Sequence, residues 1–353
     1  MHGEAAALAV ELHVPAADGD VVEEDVAVGV PTGGGHLLVE QEAAAGVGAA
    51  LDDEQRRARG QRLDRTGVRV RVVQRDPRQA FFLKPLAALG QVQFVAGDVT
   101  KFDTMRLALQ GSTAVVNLAG TFGPAMAQVQ ADGAGAVARA AALVGAQTLV
   151  HVSAIGADPA SSSTYGRSKG LGEEAVRAAF PSATILRPST IFGSEDQFVN
   201  RFARLIQVAP VVPVLRAKTR FQPVYAGDVG AAIGAAVADS RSLGGQTFEL
   251  GGPDVMTMAE LLHWIAAAIG RKPRFVELPD ALGAMIARAG FLPGAPINRD
   301  QWQMLQHDSV VSDGAQGLAA LGVAPTPLAA VAPQWLVRYR RLGRFARHAE
   351  TIA

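Results

Sequence analysis

The stretch that most restricts what this chain can become is Ser153-Ala-Ile-Gly-Ala-Asp-Pro-Ala-Ser-Ser-Ser-Thr-Tyr-Gly-Arg-Ser-Lys169. Just before it, Thr148-Leu-Val-His-Val152 is a short apolar run with β-branched residues, which predicts a buried strand with Ser153 at its end. Tyr165 to Phe180 predicts a helix, with Glu173 and Glu174 exposed and Leu171, Ala175 and Val176 turned inward. Tyr165 and Lys169 lie four apart and share one helix face. A hydroxyl, a phenol and an ammonium then converge at a strand's carboxyl end, where open α/β sheets bind their ligands.

The chemistry of such a trio is specific. A free phenol titrates near ~10, too high for a base at neutral pH. A neighbouring ammonium favours the phenolate and lowers that value. Ser153 would hold a substrate oxygen against Tyr165, giving a proton donor and acceptor suited to hydride chemistry. The plainer alternative is a surface Tyr and Lys on an ordinary helix.

Further segments carry a family resemblance. Ser153, Tyr165 and Lys169 resemble the triad of the short-chain dehydrogenase/reductase superfamily, in its extended or atypical branch, the NAD-dependent epimerase/dehydratase-like proteins. Asn117-Leu-Ala-Gly120 resembles the motif after the fourth strand, and Leu186-Arg-Pro-Ser-Thr-Ile-Phe-Gly193 the segment after the sixth. Phe221-Gln-Pro-Val-Tyr-Ala-Gly-Asp228 is similar to a further recurrent block. Asp76-Pro-Arg-Gln-Ala-Phe-Phe-Leu-Lys-Pro85 and Arg299-Asp-Gln-Trp-Gln-Met-Leu-Gln-His-Asp308 look like the NADPH-binding accessory subunits of respiratory complex I and their bacterial relatives. The resemblance spans about residues 63 to 345. It implies two functions: an NADP(H)-dependent oxidoreductase using Ser153, Tyr165 and Lys169, or a non-catalytic NADPH-binding partner of complex I.

Composition sets the bounds. The 353 residues have a formal charge of zero, which argues against binding nucleic acid by neutralising phosphates. Without cysteine there are no disulfides, thiol nucleophiles or Cys-ligated iron–sulfur clusters. No apolar run reaches the ~18 residues of a spanning helix, and the N-terminus lacks the pattern of a secretory signal. The expectation is a cytoplasmic protein.

Residues 1–62 stand apart, with no Phe, Trp, Tyr, Ile, Lys, Ser or Asn. A dinucleotide-binding chain should open on a strand, a glycine-rich turn and a helix. The nearest candidate, Val26-Ala-Val-Gly-Val-Pro-Thr-Gly-Gly-Gly35-His-Leu-Leu-Val39, has adjacent rather than spaced glycines, and Pro31 would cost a central strand a ladder donor. Two explanations compete: a disordered or divergent extension, or a first βα unit lost to a frame or start-site error, and the sharp change in composition favours the second. The ordered core is expected to begin near Val68.

From there strands and helical segments alternate, predicting a Rossmann-like, doubly wound parallel sheet over residues 63–252. Residues 253–345 form a small C-terminal lobe and tail, and 189–222 also contribute to the cleft. Arg75, at the tip of strand Val68–Val73, favours the 2′-phosphate of NADP(H), with NAD(H) the alternative. By the resemblance, Asp98 and Val99 border the adenine, and Pro188 and Ser189 face the nicotinamide. Small residues at Ala119 and Gly120 let a cofactor approach the backbone. Asp98 is otherwise a helix cap, and Asp228 is read as the N-cap of Val229–Val237. Thr257 and Glu260 form a capping box.

The lobe offers Phe275, Leu282, Met285, Phe291 and Trp302 but few convergent charges, which suits an apolar substrate or none. His263 and His307 have no metal-like spacing. The tail carries Arg338, Arg340, Arg341, Arg344 and Arg347 with apolar Leu342 and Phe345. It is either the solvated face of a last helix or a peripheral contact with the inner face of an energy-transducing membrane.

Overall fold

The computed structural model describes residues 4–11, 13–15, 21–23, 25–32, 69–86, 92–290, 297–341 and 343, the first four stretches through their backbone pairing alone. In chain order the strands are β1 (Glu4–Glu11), β2 (His13–Pro15), β3 (Val21–Glu23), β4 (Asp25–Thr32), β5 (Arg69–Gln74), β6 (Val92–Ala96), β7 (Ser112–Asn117) and β8 (Thr148–Val152). Then follow β9 (Thr184–Pro188), β10 (Ile191–Phe192), β11 (Val211–Leu215), β12 (Arg220–Phe221), β13 (Val224–Tyr225), β14 (Thr247–Leu250), β15 (Met256–Thr257) and β16 (Arg274–Leu278). Eight of them form the central sheet in spatial order β14-β9-β8-β7-β4-β1-β5-β6. Every adjacent pair is parallel except the two that β1 makes with β4 and β5.

Consecutive strand residues point to opposite faces, so a sheet covered on both sides reads as unbroken apolar runs. Val73, Val115, Leu149 and Ile185 meet the helices α1 (Phe102–Ala108), α2 (Ala134–Leu143) and α3 (Thr164–Ala179) through Met105, Val137, Val176 and Phe180. Their neighbours Val72, Val116, Val150 and Leu186 face the other way, onto Val229, Ile233 and Val237 of a buried helix over Ala226–Ala238, with Leu318 and Leu321. The sheet is therefore doubly wound, as its alternating elements predict.

The N-terminal expectation needs correction. The sheet begins at Glu4, far ahead of Val68, and β1 and β4 occupy its centre. Without them the inner edges of β5 and β7 would leave two backbone ladders unpaired, which a buried sheet does not tolerate. Pro31 lies beyond the end of the β4–β7 pairing at Gly29↔Asn117 but opposite Ala5 in the β1–β4 ladder. The glycine run 33–35 and the remainder to residue 68 lie outside the described residues.

A π-type turn over Ala127–Gly133 runs straight into α2. Gln130 sits in that turn, buried; its amide donates to Thr121 O and its oxygen accepts from the Ser168 hydroxyl.

The C-terminal lobe packs α4 (Val199–Val208), a helix we call α5 (Met258–Ala268) and the parallel pair β11–β16 around Phe192, Ile206, Leu261 and Ile265. The Thr257–Glu260 capping box forms as expected. One reading is corrected here. Asp228 lies in the first turn of its helix, but its carboxylate accepts from Thr326 N and Oγ1 at 2.6 and 2.8 Å. The described part of the tail packs back on the lobe: Trp335 and Leu336 join its core, and the buried Tyr339 donates to Asn200 Oδ1. The short turn Val337–Tyr339 ends where Arg340 is extended, and Leu342, Arg344, Phe345 and Arg347 of the tail lie outside the described residues.

Segment 298–326 is sewn across the carboxyl edge of the sheet. Asp308 pairs with Arg220 at 2.8 Å, Val311 N donates to Gln222, and Ser312 N donates to Glu249.

Candidate active site

Helix α3 places the pair that the sequence singles out. Its N-cap is Ser163, whose hydroxyl accepts from Gly166 N at 2.9 Å. Lys169, one turn in, is buried; its ammonium donates to Val152 O at 3.1 Å. A Cβ on Gly120 would come within 3.6 Å of that ammonium and 3.7 Å of the Gln130 amide. The structure thus brings Lys169, Gly120 and the end of β8 together. Ala119 is anchored by its N–H donating to Asn117 Oδ1 at 3.0 Å.

Tyr165 is half-buried, and Phe122 lies flat on its ring, with centroids 4.8 Å apart and planes 10° apart. Burial first, then the negative charge of Asp300, push its phenol up to about 12. The lowering expected from Lys169 is not seen: burial penalises the charged phenolate, and the Asp300 carboxylate adds to that penalty. Asp300 belongs to the short helix Arg299–Met304 of the C-terminal lobe. Its two oxygens accept from Thr164 N at 2.5 Å and Tyr165 N at 3.3 Å, so a carboxylate sits on the free N–H groups opening α3.

Ser153 is at the end of β8 as expected, and its N–H donates to Leu186 O at 2.7 Å. Its hydroxyl is buried beside the Glu173 carboxylate and has no hydrogen bond of good geometry. Glu173, read from the sequence as exposed, is buried, and Leu171, read as inward, is exposed. The reason is charge pairing: Arg187 of β9 reaches both Glu173 oxygens at 2.8 and 2.7 Å, and Arg177 adds a contact at 3.1 Å. Burial opposes ionisation, but these cations hold the Glu173 carboxyl below its usual range.

His151 precedes Ser153 by two on β8. Asn117 Oδ1 is occupied by Ala119 N–H, so the Asn117 amide donates to His151 Nδ1 at 3.1 Å and the imidazole carries its proton on Nε2. Nε2 is buried without a partner among the described residues. Burial and then the Lys169 charge depress the His151 pKa to about 3.

The remaining expected contacts are more dispersed. Arg75 is exposed at the tip of β5, while Asp76 pairs with Arg78 at 2.9 Å. Next to Arg75, Gln74 is fully buried, and neither amide atom has a partner among the described residues. Asp98 closes a local turn by accepting from Thr100 N and Oγ1, and the buried Val99 packs against Gly133. Pro188 is buried at the end of β9. Ser189 donates to Ser309 O at 2.5 Å, so it faces the sewn C-terminal segment. In the lobe, Trp302 packs on Gly283, His263 on Phe275 at 4.4 Å, while Leu282 and Met285 are exposed; Phe291 lies outside the described residues. No group of three metal-binding side chains exists among the described residues.

Sequence reading missed Phe122, Gln130, Gln74 and the positions taken by His151 and Asp300. Only His151 left a local signal, as an imidazole inside an apolar strand.

Comparisons with known proteins agree with this architecture. A family model described as the RmlD substrate binding domain matches residues 116–281. NADH dehydrogenase (ubiquinone) 1 alpha subcomplex subunit 9 of Arabidopsis thaliana is 36% identical over 277 residues, 74% of this chain and 69% of that protein. The same subunit of Mus musculus is 35% identical, covering 79% of this chain and 76% of the relative. A ceramide reductase of Caulobacter vibrioides is 32% identical, covering 66% of this chain and 74% of that one. Among solved structures, a triphenylmethane reductase from Citrobacter sp. aligns with a TM-score of 0.62 at 16% identity, covering 83% of this chain and 96% of that one, which speaks to fold alone. The chain belongs to the short-chain dehydrogenase/reductase superfamily, in the family of the NADH dehydrogenase (ubiquinone) 1 alpha subcomplex subunit 9 proteins.

Proposed function

We propose that the chain binds a nicotinamide dinucleotide along the carboxyl edge of its sheet and reduces a carbonyl substrate there. The observation that carries this is the buried Lys169 ammonium, one turn from Tyr165 and beside the Gly120 backbone. The residues suit the group: Lys169 would hold the nicotinamide ribose, and the unpartnered Gln74 amide and Arg75 would meet the adenosine end, with Asp98 and Val99 at the adenine. Pro188 and Ser189 would border the nicotinamide. Arg75 favours NADP(H) over NAD(H). Bound, the nicotinamide supplies the hydride.

The protein's own part is the proton. At neutral pH the Tyr165 phenol keeps its hydrogen, so it would serve as donor to a substrate oxygen. Ser153 would have to turn from Glu173 to orient that substrate. A ceramide reductase among the relatives supports this reading. Fluorescence titration with NADPH and NADH tests it, followed by turnover of carbonyl substrates. Tyr165→Phe should keep nucleotide binding and lose turnover by at least about a hundredfold. Equal or tighter NADH binding removes the role given to Arg75.

A second reading is favoured by one observation: Phe122 covers the Tyr165 ring while Asp300 ties the lobe to the same turn. A site closed in this way suits a nucleotide-holding accessory subunit of respiratory complex I without turnover, in line with the subunit 9 relatives. Copurification with the membrane-bound dehydrogenase supports it. Normal assembly of that complex in cells lacking this chain contradicts it.

A further inference from the structure

We propose that the C-terminal lobe carries a docking site for the headgroups of anionic phospholipids, centred on Arg271 and Lys272. The argument starts where α5 ends. Its last carbonyls are already satisfied: Ala266 O by Arg271 N at 2.8 Å, Ala267 O by Gly270 N, and Ala268 O by the Arg340 guanidinium at 3.0 Å. The side chains of Arg271 and Lys272 are therefore not needed to cap the helix. Instead they line an open groove of about 620 Å³ with His263, Pro273 and Phe275. No carboxylate of the described residues lines it. The Arg271 Nε is buried and has no partner among the described residues, an arrangement that costs free energy until an acceptor arrives. Arg340, held at Ala268, and Arg274, at the start of β16, add charge of the same sign beside it.

The groove's neighbour is apolar and exposed. Val208 is 77% exposed and Val211 49%. Arg274 N donates to Pro210 O, and the register sets Val211 opposite Arg274 and Pro213 opposite Val276. These four residues share the outer face of the β11–β16 pair, because alternate strand residues point the same way, while Phe275 between them turns to the groove, so that strand β16 borders both. The one acid on β16, Glu277, follows at the far side of Val276.

A phospholipid surface satisfies both features at once. A phosphate accepts from the Arg271 guanidinium, and the acyl boundary receives the valines. An acidic peptide would satisfy only the first. No described helix is long and apolar enough to cross a membrane, so the contact is peripheral. It is also distinct from the tail as the sequence suggested it, since Arg338 and Arg340 are turned onto Ser194 O and Ala268 O of their own lobe. The inference stands independently of the nucleotide reading.

Cosedimentation of the full chain with two kinds of vesicle tests it: phosphatidylcholine alone, and phosphatidylcholine containing phosphatidylglycerol. Binding to the second only, released by high salt, is the expected result. Arg271→Gln/Lys272→Gln should weaken it about tenfold or more, and Val208→Asp should weaken it further. A chain truncated after Arg341 should retain it. Circular dichroism and NADPH titration report that these variants still fold. Equal sedimentation with both vesicle types, unchanged binding in the double variant, loss on truncation after Arg341, or affinity for inorganic phosphate or polyglutamate without affinity for vesicles would each overturn it.

Discussion

The two halves of the central sheet are held by different means. From β7 to β14 each strand is parallel to its neighbour, arrives in order along the chain except for the last crossover, and meets its helix within a few residues. From β4 to β6 one antiparallel strand, β1, stands between two parallel ones. Lys169, Ser153 and Glu173 belong to the first half, and Gln74 and Arg75 to the second. The reactive side of the site thus rests on local segments and buried charge pairing, whereas the nucleotide side depends on backbone pairing between residues about sixty positions apart, such as Val10 with Val70.

The largest test of that contrast is deletion of residues 1–32. It strips the partner strands from β5 and β7, and the expected outcome is loss of cooperative urea unfolding, because two open ladders outweigh a total stability of ~5–15 kcal/mol. A truncated chain unfolding at the unchanged midpoint would erase the distinction between the halves.

In the other half, Glu173→Ala leaves Arg187 without its bidentate partner and should cost ~3–5 kcal/mol in denaturant unfolding. A loss below about 1 kcal/mol, the range of an exposed pair, would mean that this network is solvated.

The His151 imidazole sharpens the comparison through pH. The unfolded chain takes a proton there near pH ~6.5, the folded chain only near about 3, so stability falls as pH drops through that window. Carboxylates titrate in the same range, so the readout is the difference from His151→Gln. That variant should lose a slope of ~1.4 kcal/mol per pH unit at most.

The smallest effect is Asp300→Asn. Removing the charge over the first turn of α3 should cost ~0.3–1 kcal/mol and shift Tyr165 downward from about 12. Ultraviolet titration of tyrosinate follows it, with only three tyrosines in the chain.

What could be read in advance follows the same division. β8, α3 and the Thr257–Glu260 box were legible because their determinants lie within a few residues of one another. Glu173 was misread because its partner Arg187 sits on another strand, and a charged helix residue without a local reason for burial is assigned to solvent. Asp300 and Thr164 are 136 positions apart, so nothing local links them. The N-terminal strands defeated composition: the sharp change in residue usage after the first 62 residues argues for a first βα unit lost to a frame or start-site error, while the pairing demanded by β5 and β7 is a property of the assembled sheet.

The π-type turn at Ala127–Gly133 has an evolutionary consequence. Such a turn holds one residue more than an α-turn, so a one-residue insertion or deletion would interconvert the two. The wider loop presses the Gln130 carbonyl onto α3, where a Cβ at Gly172 would come within 2.0 Å of it, while the Gln130 side chain fastens Thr121 and Ser168. A descendant that lost the residue would rotate Gln130 away from both partners, and one that gained bulk at Gly172 would meet the carbonyl. Length at one position and size at the other must therefore change together, and this covariation can be sought wherever the turn is inherited.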